Sequence, residues 1–377
     1  MLFNPGGPGA SGFDAVLRSG EAMKQGLLSP QFNLVGFDPR GVKSSDIDLD
    51  CFPGRHADRD LLQSEINGHI TDDTSPLSLH DAWELGRGWG ERCTAVQQKG
   101  RKSKYVNSVA VVYDMLRFSE VRAQSLGQPR EQSKLWYYGV SYGTTLGTTF
   151  ATLFPDRIGG MVLDGVMDAD DYYAGGSRID QVDTNKAADT FFSYCFEAGP
   201  DHCAFYGNAS GPEKIKQRFK ELPTQLEEHP IVVSDPEVTS RPRLVGSEDV
   251  KSLFVQSLYN ALETFPSFAT TLMELEQRDA TSLFRSSGGA GVERPLNETR
   301  VLYDDDQTQI QTICADANGH FNVSTFEQYV ALDTYFRKLS FYGGEGQAFV
   351  YAFCRGLKIE PPKSQVLNGK ATGAPMV

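Results

Sequence analysis

Ser141 lies at the centre of Gly139-Val140-Ser141-Tyr142-Gly143, directly after the apolar run Leu135-Trp136-Tyr137-Tyr138. A Gly-x-Ser-x-Gly turn between a strand and a helix can hold its serine in a strained conformation and present the hydroxyl as a nucleophile. The glycines two residues to either side leave space that a Cβ would fill. The pentapeptide alone is weak evidence, because 37 of the 377 residues are glycine and chance supplies such spacings. Its surroundings carry the weight. Thr144 to Phe154 has small residues near the turn and apolar ones later, and Pro155 stops it as a helix is stopped. The plain alternative is an ordinary serine in a glycine-rich turn.

A second cluster, Asn4-Pro5-Gly6-Gly7-Pro8-Gly9-Ala10-Ser11-Gly12, follows Met1-Leu2-Phe3. A loop with four glycines in nine residues can aim bare backbone N–H groups at one point. A developing oxyanion needs that, together with one N–H from the residue after the nucleophile, here Tyr142. The alternative is a flexible linker, against which the alternating prolines argue because they fix the loop's shape. Between the clusters, Phe32 to Phe37 reads as a strand ending in Asp38-Pro39-Arg40-Gly41. Asp38 and Arg40 brace this loop or form a local surface ion pair, and neither is given a catalytic role.

These strings carry a resemblance. Asn4 to Gly12, Gly36 to Gly41, Tyr138 to Thr144, and Phe154-Pro155-Asp156-Arg157 followed by Val162-Leu163-Asp164-Gly165 resemble the tripeptidyl-aminopeptidase branch of the α/β-hydrolases, relatives of the proline iminopeptidases. The likeness is strong over about the first 175 residues and looser through Cys314-Ala315-Asp316 to the region of Cys354. It implies a serine peptidase that removes short peptides or single residues from free N-termini. In it Ser141 matches the nucleophile and Tyr142 supplies one oxyanion N–H. Gly7 supplies the other, with Gly6 as the alternative. Pro5 stands where many iminopeptidases have a histidine before the double glycine.

The fold then expects an acid and a histidine after the cap, in that chain order. The last histidine here is His320, the last aspartate is Asp333, and Arg355 to Val377 contains neither. Asp164 could serve as the acid, and His202 and His320 are the histidines considered for the base. His56, His69, His80 and His229 lie in polar, loop-like segments. Loss of the histidine costs about 10⁶ in turnover, against about 10²–10³ for one oxyanion donor. The expectation is therefore an α/β-hydrolase fold with a partial central sheet, its first and last strands missing, and a large helical cap. The chain reads as the middle of a larger protein or as a non-catalytic remnant with a binding pocket, and an esterase on the same scaffold is a further reading.

Four core strands are expected, at Met1 to Phe3, Phe32 to Phe37, Leu135 to Tyr138 and Gly160 to Leu163, contiguous in the sheet. Asn107 to Leu126 reads as a linking helix, with apolar residues at Val109, Val112, Met115, Leu116 and Val121. After Val166 helical patterns dominate, at 185–198, 212–226, 247–262 and 326–339. The organisation expected is a partial hydrolase core at 1–165, a mostly helical cap at 166–355 and a tail at 356–377. An exopeptidase must pair the substrate's free ammonium with a carboxylate, and Asp168, Asp170, Asp171, Glu197 and Asp316 are the acids in or entering the cap. Glu197 and Asp316 are singled out for that role, although the favoured reading of each is a solvated surface charge.

The six cysteines lack Cys-x-x-Cys spacing, so no metal is expected. Three disulfides are instead compatible with the sequence: Cys51 with Cys93, Cys195 with Cys203, and Cys314 with Cys354. Free buried cysteines are the alternative. Sequons at Asn208, Asn297 and Asn322 also suit an exported glycoprotein, weakly. The cysteines and sequons lead to the expectation that complete relatives are secreted, whereas Met1 leads straight into the glycine loop without a targeting segment, so this chain as written is expected to carry no export signal. A formal net charge of −13 argues against nucleic acid or an anionic membrane as partner. The partner expected is a peptide or small ester substrate, with no cofactor.

Overall fold

The structure, a computed structural model, describes residues 1–26, 31–71, 76–98, 100, 102–176, 178–239, 242–286, 303–317 and 323–367. The chain divides into two compact units. One comprises Met1–Asp180, Val301–Ala331 and Ala348–Val377, and the other Gln181–Arg300 and Leu332–Gln347.

In the first unit, strands β1 (Leu2–Asn4), β2 (Val35–Gly36), β3 (Leu135–Val140) and β4 (Ile158–Asp164) alternate with helices α1 (Gly12–Gly26), α2 (His56–Thr71), α3 (Pro76–Gln97), α4 (Ser108–Ser125), α5 (Tyr142–Leu153) and α6 (Ala169–Tyr173). The strands form one four-stranded sheet in the order β2-β1-β3-β4. Every pairing is parallel, as crossover helices dictate. The contiguous order matches the expectation, but β2 is two residues long, where a strand through Phe37 was expected. Phe37 faces the cleft of the following loop, beside Asp38 and Arg40.

Alternation along the strands decides what each face packs. Leu2, Leu135 and Tyr137 meet Val111, Val112 and Met115 of α4 and Leu146 and Phe150 of α5. Phe3 and Tyr138 lie on the other face, with ring centroids 5.5 Å apart. Asn107 starts α4 by accepting a 2.9 Å bond from the Ala110 N–H through its side-chain oxygen, which satisfies one of the helix's orphan donors.

Two further helices, α12 (Asp305–Ala317) and α14 (Phe349–Gly356), belong to this unit. Trp89 of α3 meets Phe353 of α14 edge to face at 5.1 Å. Around them a second core gathers Phe52, Ile66, Ala82, Ile310 and Leu357 with the Cys51–Cys93 disulfide. The Cys314–Cys354 disulfide joins α12 to α14.

The second unit is mostly helical: α7 (Thr184–Ala198), α8 (Pro212–Glu228), α9 (Ser247–Leu258), α10 (Ala261–Glu276) and α11 (Thr281–Ser286), with a short hairpin of β5 (Ile231–Val233) and β6 (Arg243–Val245). The last described helix of this region, α13 (Phe326–Leu339), crosses the boundary between the units. Its core is aromatic. Phe191, Phe192, Phe219, Phe254, Phe265 and Phe268 cluster, with Phe254 stacked on Phe268 at 4.8 Å. The Cys195–Cys203 disulfide closes the turn after α7. The single helix expected over 247–262 breaks after Leu258 instead. Asn260 leaves the helical conformation at φ −144° and its amide donates 2.6 Å to Glu263, so a new helix starts there. Among the described residues no helix is long and apolar enough to cross a membrane.

Candidate active site

The turn after β3 is pinned from both sides. The Ser141 N–H donates to the Asp164 carbonyl at 3.0 Å, continuing the sheet, while the Ser141 carbonyl accepts from the N–H of Thr144 at 2.8 Å and from its hydroxyl at 2.6 Å, opening α5. Between these anchors Ser141 adopts φ 55°, ψ −123°. Positive φ is costly for a residue with a Cβ and persists only where its surroundings impose it. The flanking glycine at 143 is required by a close approach, because a Cβ there would lie 2.7 Å from the Asn4 carbonyl oxygen. The Tyr137 hydroxyl ties the same turn by donating 2.8 Å to the Gly143 carbonyl.

The opening loop packs directly on this turn. A Cβ on Gly6 would stand 2.6 Å from the Val140 carbonyl oxygen, 2.9 Å from Ser141 Cβ and 3.1 Å from the Tyr142 nitrogen. Buried Asn4 shapes the loop, its side-chain oxygen accepting the Gly6 N–H at 2.9 Å. The Gly6 donor is thus engaged inward. Among the described residues no hydrogen bond engages the N–H of Gly7 or of Tyr142, and the Ser141 hydroxyl has no hydrogen-bond partner. The loop's far end is held by Asp38, which accepts from the Ser11 hydroxyl at 2.6 Å. Arg40 does not pair with Asp38. It makes a two-bond contact with Asp114 of α4, at 2.6 and 2.8 Å.

Asp164 stands opposite Val140 in the β3–β4 register, and its carboxylate accepts from the Tyr138 hydroxyl at 3.0 Å. Among the described residues no histidine is bonded to Ser141 or Asp164. His56 contacts Asp50 at 3.1 Å, and His80 packs edge-on against Phe326. His202 is exposed in the turn before Cys203, and His320 lies outside the described residues, as do Asn297 and Asn322. Asn208 is exposed in a turn of the second unit. Glu197 is exposed near the end of α7.

Asp316, in contrast, is buried near the end of α12. One carboxylate oxygen accepts from the Ser108 N–H at 2.7 Å, and the other accepts from the Ser108 hydroxyl at 2.6 Å and the Tyr172 hydroxyl at 2.8 Å. The Ser108 hydroxyl is also 2.6 Å from the Tyr142 hydroxyl. Ser108 and Tyr172 were not anticipated as part of the site. Nothing in their local sequence marks them, since they come from α4 and α6 and meet Asp316 only in the fold.

Burial pushes the Asp316 carboxyl up to about 6, against the bonds from Ser108 and Tyr172 that favour its ionised form. The folded value therefore lies above the unfolded one of 3.8, so the folded state holds this proton more tightly. The stability tied to that proton is fully present below about pH 4 and is lost as pH rises through about 6. Asp316→Asn is expected to remove this component. The difference between wild-type and variant urea-unfolding free energies should change by on the order of 2–3 kcal/mol between those limits, and a flat difference would contradict the assignment.

Comparisons with known proteins follow the same lines. Residues 1–199 match a family model described as alpha/beta hydrolase fold. The chain is 28% identical over 338 residues to serine protease Hip1 of Mycobacterium tuberculosis, covering 81% of this chain and 59% of that protein. It is 31% identical over 169 residues to a tripeptidyl aminopeptidase of Streptomyces coelicolor, covering 44% of this chain and 28% of that protein. A 51-residue stretch is 49% identical to carboxylesterase B of Mycobacterium tuberculosis, over 14% of this chain and 10% of that protein. The chain thus spans 59% or less of the length of these relatives. With the parallel sheet, the strained serine between β3 and α5 and a family match across more than half its length, the chain belongs to the α/β-hydrolase fold family.

Proposed function

We propose that the protein is a serine aminopeptidase of the tripeptidyl-aminopeptidase type, related to the proline iminopeptidases and acting by acyl transfer through Ser141. One observation carries the reading: a serine held at positive φ against the Gly6 backbone, with the N–H groups of Gly7 and Tyr142, in the adjoining loop and turn, free of hydrogen bonds among the described residues. The Ser141 oxygen attacks the scissile carbonyl and its proton passes to a general base, a role for which no described histidine is bonded to Ser141. The carbonyl oxygen takes the negative charge and is received by the two backbone donors. The C–N bond breaks, the amine leaves with the proton, and water then releases the acyl group from Ser141. A substrate's ammonium calls for a carboxylate with free oxygens. The oxygens of Asp316 are occupied by protein donors, so it does not fill that role. The relatives named serine protease and tripeptidyl aminopeptidase support peptide substrates. The disulfides and the exposed Asn208 sequon support an oxidising, exported setting.

The test is a fluorophosphonate reporter incubated with the full chain, followed by peptide mapping. Rapid modification of Ser141, with release of tripeptides from peptides bearing a free N-terminus, is expected. Absence of labelling would defeat the serine-hydrolase reading and leave a non-catalytic binding protein. The carboxylesterase B match supports a second reading. Turnover of p-nitrophenyl esters without cleavage of N-terminal peptides would select it.

A further inference from the structure

We propose that helix α12 sets the oxyanion hole from both sides, with Asp316, acting through Ser108, and Gln309 as positioning residues for acyl transfer at Ser141. The proposal rests on the serine-hydrolase reading above.

At its C-terminal end α12 reaches the elbow. Ser108, Tyr142, Tyr172 and Asp316 are all buried. Asp316 has no proton to give when ionised, so the hydroxyls of Ser108 and Tyr172 both donate to it. The Ser108 proton is then committed, and the 2.6 Å contact with Tyr142 must be a donation from the tyrosine. The protons are therefore ordered one way, from Tyr142 to Ser108 to Asp316. Bonds that end on a charged acceptor are the strong ones, so this chain fixes the Tyr142 side chain. Tyr142 is the first residue of α5, and its N–H is one of the two proposed oxyanion donors. The titratable groups facing the carboxylate are the tyrosines 142, 172 and 173, whose phenols burial raises, so they remain neutral donors.

At its N-terminal end the same segment reaches the loop that bears the other donor. The Tyr303 hydroxyl donates 2.6 Å to the Gly9 carbonyl, and the Gln309 amide donates 3.2 Å to the Gly7 carbonyl. The Asp305 carbonyl oxygen lies 2.7 Å from where a Gly9 Cβ would be, so the loop backbone rests on the helix start.

The helix between these ends is itself anchored. Thr308 donates 3.1 Å to the Gly41 carbonyl, Gln311 donates 2.8 Å to the Leu49 carbonyl, and the Gln307 side chain accepts the Cys51 N–H at 3.0 Å. Cys314 is tied to Cys354. One rigid rod thus fixes the spacing of two donors carried on separate stretches of chain. That spacing matters because preorganised donors are worth about 10²–10³ each in turnover, and a misplacement near 1 Å costs about 10²-fold.

The experiment uses the full chain with Ser108→Ala, Tyr142→Phe, the double variant and Gln309→Ala, the last on a half-exposed side chain. kcat, KM and affinity for a peptide boronate are measured for each. Ser108→Ala and Tyr142→Phe are each expected to lower kcat and boronate affinity by about 10- to 100-fold, with KM within about twofold. The double variant should be no worse than the poorer single one, because both act on one chain of protons. Gln309→Ala should lower kcat by about threefold to tenfold and combine multiplicatively with Ser108→Ala. Additive losses in the double variant, changes confined to KM, or unchanged kcat in both Ser108→Ala and Gln309→Ala would overturn the proposal. A wild-type protein that resists fluorophosphonate would instead overturn the reading on which it rests.

Discussion

Ser141→Ala is expected to lower turnover by about 10⁶-fold and to abolish fluorophosphonate labelling, while leaving the fold intact. The companion Ser141→Gly separates chemistry from strain. Ser141 sits at φ 55°, ψ −123°, a conformation that costs a residue with a Cβ about 1–3 kcal/mol and glycine very little. The glycine variant gives back about 0.5–1 kcal/mol through its freer unfolded chain. A net stabilisation of about 1 kcal/mol should appear as a higher urea midpoint, together with complete loss of activity. An ordinary turn serine would show neither effect. If Ser141→Gly were less stable than wild type, the elbow would not be holding strain, and the site would lose its best physical support.

The elbow and the opening loop were legible in the sequence because their chemistry is local. Residues 139–143 and 4–12 carry their glycines at the positions where backbone meets backbone, and a pattern of that kind needs no knowledge of distant contacts. The four strands were legible through apolar runs, although β2 shrank to Val35–Gly36 because Phe37 faces the loop cleft instead of continuing the ladder. The brace beneath the site was not legible, for a physical reason. Helix α12 buries Gln307, Thr308, Gln311, Thr312 and Asp316, so its inward face follows a helical period in polar residues that a search for apolar periodicity passes over. Asp316 was read as a substrate-binding or surface carboxylate because its partners, Ser108 and Tyr172, are 208 and 144 residues away. Arg40 likewise reads as the partner of nearby Asp38 until the fold brings Asp114 of α4 to it.

Gly6→Ala carries the second large effect, and its size follows from three distances. The new methyl group would lie 2.6 Å from the Val140 carbonyl oxygen, 2.9 Å from Ser141 Cβ and 3.1 Å from the Tyr142 nitrogen, on a residue whose φ of 102° already disfavours a side chain. All three neighbours are parts of the elbow itself, held by the sheet and by α5, so the loop must retreat. Gly7 retreats with it, since the two residues share a peptide, and its N–H moves away from the point where the Ser141 and Tyr142 groups converge. The expected result is a fall in kcat of about 10²–10³-fold, the size of losing one oxyanion donor, with a stability loss of about 1–3 kcal/mol. Gly54→Ala provides the control. Gly54 also has positive φ, at 72°, but no atom lies within 4 Å of its missing Cβ, so its replacement should cost about 1–2 kcal/mol from the left-handed backbone and leave kcat unchanged. A Gly6→Ala enzyme that kept its turnover within about threefold would mean that the opening loop does not carry the second donor.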